Sequence, residues 1–196
     1  MNIGIGTKTV LTCLSLLLST NASIAARWTT FHDARGFSIS YPSNWRTDPN
    51  FADLNYPDND GNRARIEGLG LRSSIDLQPH TTLQNDQTEL AVEVLPRYAN
   101  ACTAENFLAQ QPPDYESGVD KATPTFAHMS GGDPGGWYSY EDFVYLISLR
   151  PCLAVHYFVA YATPGGEIAK GERPFNLGSL LRRFNKIRAT IKITYR

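Results

Sequence analysis

This chain has no excess of charge of either sign: 18 Lys and Arg stand against 19 Asp and Glu, for a formal charge of −1. That balance gives no general electrostatic reason to expect nucleic acid as a partner. Cysteine is scarce, three in 196 residues, and no Cys-x-x-Cys pair occurs, which argues against thiol–disulfide exchange chemistry. Beyond the N-terminal stretch no apolar run approaches the roughly 20 residues that a membrane-spanning helix needs. A Gly-x-Ser-x-Gly nucleophile elbow is missing, and Gly68-Leu69-Gly70 lacks the third glycine and following helix of a dinucleotide site. Internal repeats and low-complexity tracts are absent as well.

What is present begins with a leader. Lys8 precedes the apolar run Val10–Leu18, and small residues Ser23 and Ala25 stand at the −3 and −1 sites of a signal-peptidase cleavage. Residues 1–25 therefore read as a signal peptide, with residues 26–196 as one exported domain, periplasmic or secreted. Val10-Leu11-Thr12-Cys13 is a rival lipoprotein box, but the apolar run continues past Cys13 through Leu18. Loss of Lys8 and Cys13 with the leader brings the charge to about −2 and leaves Cys102 and Cys152. An exported pair reads as a disulfide, and closing its loop is worth about 4 kcal/mol by chain entropy. Two separate buried thiols are the alternative.

Alternation at Phe37, Ile39 and Tyr41, after Arg27–Phe31 and a turn ending in Gly36, predicts a β-hairpin. Residues 47–62 are rich in turn residues and read as loop. Arg63–Leu71 is expected to be extended, with Gly68 and Gly70 marking a bulge or a close approach. Glu89–Leu95 alternates, and Thr103–Gln110 reads as a short helix capped by Thr103. Trp137–Leu149 and Cys152–Tyr161 are two long strands, the second apolar on both faces and hence covered on both. Leu177, Leu180, Leu181, Phe184 and Ile187 recur at helical spacing, and Ile191–Tyr195 alternates as a terminal strand.

The stretch Gly36-Phe37-Ser38-Ile39-Ser40-Tyr41-Pro42-Ser43-Asn44-Trp45 resembles the opening signature of PsbP-like proteins of the Mog1/PsbP superfamily. The resemblance is specific over these ten residues and topological elsewhere. It implies an α+β fold, a mainly antiparallel sheet covered by helices on both faces in an α/β/α sandwich. It also implies a binding module, with no shared catalytic set to place on these positions.

Chemistry-bearing residues are sparse. Asp58, Asp60, Gly61 and Glu67 match positions 3, 5, 6 and 12 of a calcium loop, but Tyr56 falls where the first carboxylate belongs. A surface turn accounts for them better. His32, His80, His128 and His156 share no metal-binding spacing; His156 reads as a core histidine with a hydrogen-bond partner and His32 as solvated. His128, Ser130 and Asp133 have the residue types of a triad without its signature. Arg182, Arg183, Lys186, Arg188, Lys192 and Arg196 form an acid-free basic C-terminus, suited to a solvated face, an acidic partner or anionic headgroups. Tyr138, Tyr140, Tyr145, Tyr157 and Tyr161 crowd the two long strands. The expected function is non-enzymatic binding of another envelope protein, without metal or cofactor. Its candidate patch is Asp133, Trp137, Tyr138 and Tyr140, beside the Gly131–Gly136 loop. The alternative is a carrier of a small apolar molecule or lipid, held between the sheet and the C-terminal helix.

Overall fold

The structure is a computed structural model, describing residues 27–57, 63–95, 102–108, 116–118, 126–132, 135–163 and 171–194. The leader, Asp58, Asp60, Gly61, Asp133 and Arg196 lie outside these residues. In chain order the elements are β1 (Trp28–Asp33), β2 (Phe37–Pro42), β3 (Trp45–Pro57), β4 (Arg63–Ser73) and β5 (Glu89–Val94). A 3-10 turn (Ala104–Phe107), β6 (Glu116–Gly118), β7 (Phe126–Gly132), β8 (Tyr138–Leu149) and β9 (Cys152–Ala162) follow. Helix α1 (Leu177–Arg188) and β10 (Lys192–Ile193) close the fold. Strands β1-β2-β10 form a small sheet, and β3-β4-β5-β9-β8-β7-β6 form a large one; every pairing between them is antiparallel.

The expected hairpin is β1–β2, with Phe31 opposite Ile39 and Gly36 at φ 99° closing the turn. Arg35 grips the Asp33 carboxylate with two hydrogen bonds, of 2.7 and 2.6 Å, and donates another, of 2.9 Å, to the Gly68 carbonyl. That side chain ties the hairpin turn to the large sheet. Burial pushes the Asp33 carboxyl up, but the Arg35 guanidinium outweighs it and holds Asp33 below its ordinary value.

Of residues 47–62, read from sequence as turn-rich loop, 47–57 instead belong to the edge strand β3, and 58–62 lie outside the described residues. Their turn residues are absorbed in a register shift between Asp48 and Phe51, where Asn50 N–H donates to Asp48 Oδ1 at 2.9 Å. Pro49 is tolerated there because an edge strand with a bulge does not need its N–H.

Alternation along β9 sends Leu153, Val155, Tyr157 and Val159 to one face of the large sheet and Ala154, His156 and Ala160 to the other, all buried. Large residues fill the first face: Leu69, Leu71, Leu90 and Val92 from β4 and β5, met by Leu180, Phe184 and Ile187 of α1. The second face mixes the small Gly68, Gly70, Ala91, Ala127 and Ala154 with the larger Ile66, Met129, Val144 and Leu146. There the 3-10 turn supplies the cover through Ala104 and Phe107, with Leu108 and Leu95 beside them.

This overturns the expected α/β/α sandwich. The fold is β-rich, with α1 as the single α-helix among the described residues and on one face only. The segment expected to be a helix over Thr103–Gln110 shows a four-residue 3-10 turn. Ala104, Phe107 and Leu108 of this segment bury themselves against Ile66, Met129, Val144 and Leu146 of the sheet, with the small Ala127 and Ala154 in the same cluster.

Two outcomes follow from this packing. A Cβ on Gly68 would stand 2.5 Å from the Val92 carbonyl oxygen. Gly68→Ala should therefore cost about 1–3 kcal/mol in denaturant unfolding, as overpacking against backbone does. Cys102 and Cys152 are bonded, 50 residues apart, and join the 3-10 segment to β9. A non-reducing peptide map should show them in one linked species, and the Cys102→Ala/Cys152→Ala pair should lose about 4 kcal/mol of stability by the loop-entropy relation.

Candidate functional site

Helix α1 starts at Asn176, whose side chain accepts a hydrogen bond of 2.8 Å from Ser179 N–H. Gln78 clamps the same residue from both sides, accepting from Asn176 N–H at 2.7 Å and donating to its carbonyl at 2.8 Å. The loop after β4 is thus pinned beside α1, and Ile75 comes with it. Phe184 seats the helix between Trp45 (ring centroids 5.9 Å apart) and Tyr157 (5.1 Å). Between these elements lies a groove of about 420 Å³ lined by Trp28, Pro42, Asn44, Trp45, Ile75, Ser179, Arg182, Arg183, Lys186 and Ile187.

The groove has two distinct walls. Trp28 and Ile75 stand on one rim, 48% and 52% exposed, over a recessed floor that includes Trp45 and Ile187. Arg182, Arg183 and Lys186 stand exposed on the other, and none makes an ion pair among the described residues. Clustered apolar exposure of this kind marks interaction sites more often than scattered single residues do. The remaining basic residues part ways: Arg188 is buried with its guanidinium 3.7 Å from the Tyr145 ring centroid, and Lys192 is solvated.

A second groove, of about 480 Å³, lies over β3–β5 and mixes both signs of charge. Its Arg72 and Glu89 already pair at 2.6 Å.

The residues proposed from sequence are partly gathered. Trp137 is 69% exposed and Tyr138 is at the surface next to it. Tyr140 is half-buried, stacked on Phe158 with centroids 5.4 Å apart and lying over Gly131. Burial first, then the charge of Asp142, raises the Tyr140 phenol above its ordinary value. Tyr145, Tyr157 and Tyr161 point to the opposite face, toward α1 or its approach.

Titratable clusters lie inside the sheet. His156 on β9 sits between Glu93 on β5 and Asp142 on β8, diagonal neighbours on one face, and all three are buried. Its Nδ1–H donates to the Glu93 carboxylate at 3.2 Å and its Nε2–H to Asp142 Oδ1. Burial works to strip the proton from the imidazole; the Asp142 and Glu93 carboxylates outweigh it and hold His156 well above its ordinary value. The expected core histidine is there, with two acidic partners the sequence did not announce.

On the other face His128 Nε2 bonds Glu141 at 2.8 Å, and Tyr161 OH donates to the same carboxylate at 3.0 Å. His128 is thus committed to Glu141 and stacks on Phe143 at 4.3 Å. Glu67 stands in the β4 ladder opposite Val94. Among the described residues no three His, Cys, Asp or Glu side chains form a group that could hold a metal, and no helix is long and apolar enough to cross a membrane.

No family model, curated protein or solved structure matches the chain. The geometry of its surfaces therefore carries the functional argument. Sequence reasoning missed Trp28 and Ile75 as site residues, since their meeting with α1 is a long-range contact. Only the acid-free helix face signalled this region in advance.

The His156 cluster has a testable signature. A raised histidine pKa contributes stability that is complete below the unfolded value near 6.5 and is lost as pH climbs through the folded value. His156→Gln leaves two buried carboxylates without their cation and should cost about 3–5 kcal/mol. Denaturant titrations at stepped pH should show the gap between wild type and variant full near pH 6.5 and narrowing as pH rises into alkali. A constant gap would remove the imidazolium from the account.

Proposed function

We propose that this chain is exported after removal of residues 1–25 and works as a non-enzymatic binding domain for another envelope protein. The observation that carries the reading is the α1 groove, where two exposed apolar side chains face a row of cations that make no ion pair among the described residues. Interfaces combine an apolar centre with a polar rim in this way, and tryptophan and arginine are the residues that most often dominate binding. The Cys102–Cys152 bond suits an oxidising, exported environment. The PsbP-like stretch Gly36–Trp45 lends further support to binding over catalysis, and its Pro42, Asn44 and Trp45 line the groove.

Trp137 and Tyr138 supply a second apolar surface beside the Gly131–Gly136 loop. The carrier reading has less behind it, because Leu180, Phe184 and Ile187 fill the space between sheet and helix against Tyr157 and Trp45.

Photo-crosslinking separates these readings. A benzoylphenylalanine placed at Trp28 or Ile75 in the exported chain should yield one discrete adduct of protein mass, and at Leu149, exposed elsewhere, none. Adducts formed only at Trp137 would move the interface to the loop. Attachment of a lipid or small molecule would replace the binding domain with a carrier.

A further inference from the structure

Helix α1, Leu177–Arg188, contains no acidic residue. Its last-turn cations, Lys186 and Arg188, are favoured by the helix dipole, but that effect falls off within the final turn. Arg182 and Arg183 stand mid-helix, beyond its reach. Arg182 and Lys186 are also i,i+4 neighbours of like charge, an arrangement that weakens an isolated helix. An exposed face kept for solubility interleaves both signs. This one gathers a single sign beside an apolar recess, in a chain whose overall charge is negative. The charge belongs to the groove.

We infer that the α1 groove receives an acidic segment of a partner protein, its carboxylates on Arg182, Arg183 and Lys186 and an apolar side chain on the floor between Trp28, Trp45 and Ile75. This rests on the binding-domain reading above and specifies its partner. Among the described residues no carboxylate lines the groove to repel such a segment. Arginine presents a planar fork that matches a carboxylate with two hydrogen bonds. The recess decides between a peptide and a membrane. Trp45 and Ile187 are buried below the rim formed by Trp28 and Ile75. A single side chain reaches that floor, whereas a flat headgroup surface meets only the rim.

The test uses the exported full-length domain and fluorescein-labelled decapeptides in which Asp and Glu alternate with Leu and Phe. A matched set carries Lys in place of each acid, and phosphatidylglycerol vesicles serve as the third probe. Fluorescence anisotropy should show the acidic set binding at least about tenfold more tightly than the lysine set, with an affinity that falls as salt rises. Arg183→Glu/Lys186→Glu should weaken the acidic peptides about tenfold or more while circular dichroism keeps its wild-type shape, since both side chains are exposed. Trp28→Ala should weaken both peptide sets, because it removes apolar rim and not charge. Equal binding of the two sets, or an unchanged affinity in the charge-reversed variant, would overturn the inference. So would binding to vesicles without binding to peptides, in favour of a membrane surface. Mapping the photo-adduct at Trp28 keeps the two readings apart. A protein adduct on an acid-poor segment, or one formed only at Trp137, leaves the binding domain standing and removes the acidic partner; no protein adduct at any of these positions removes both.

Discussion

Strand β9 sits at the middle of the large sheet with apolar side chains on both faces, and neither set can be left to water. Covering the two faces is the constraint from which the remaining architecture follows. On one side Tyr157 meets Phe184, which also meets Trp45, so α1 is fixed by aromatic contacts to the middle and the edge of the sheet at once. On the other side Ile66, Met129, Val144 and Leu146 stand among glycines and alanines, and among the described residues a 3-10 turn covers them, held to β9 by the disulfide. The two covers differ in kind: one is a helix held by packing, the other a turn held by a covalent bond.

That division also places the chemistry. The face under the 3-10 turn holds one imidazole between two carboxylates, and burial converts the trio into a structural ion cluster. The helix face carries the groove, because α1 packs by one side only. Leu180, Phe184 and Ile187 go inward, leaving Arg182, Arg183 and Lys186 as a wall over the corner formed by Trp28, Pro42 and Trp45.

Much of the sheet was legible from side-chain alternation. Phe37, Ile39 and Tyr41 marked β2, and the two-sided apolar pattern of Cys152–Tyr161 marked a covered central strand. Gly68 and Gly70 signalled a close approach, which the Phe51 ring and the Val92 carbonyl provide. Strand β3 was hidden because Asp48, Pro49 and Asn50 are turn residues, and only edge pairing with a register shift accommodates them. The short helix expected over Thr103–Gln110 is seen as a 3-10 turn over Ala104–Phe107 without a side-chain cap bond from Thr103, and Ala109 and Gln110 lie outside the described residues. The groove was not legible, since it joins residues near 28, 44, 75 and 183 that share no local pattern. Asp133 lies outside the described residues, so the aromatic patch is seen here only through Trp137, Tyr138 and Tyr140.

The position of the disulfide has a consequence for how the chain withstands cleavage. The residues between Cys102 and Cys152 include β6, β7 and β8, one flank of the sheet beside β9. A protease that nicks the backbone anywhere inside this ring leaves a single covalent molecule, with both new ends still tethered to β9. The flank is thereby held against a backbone break by a bond that also serves to cover the core.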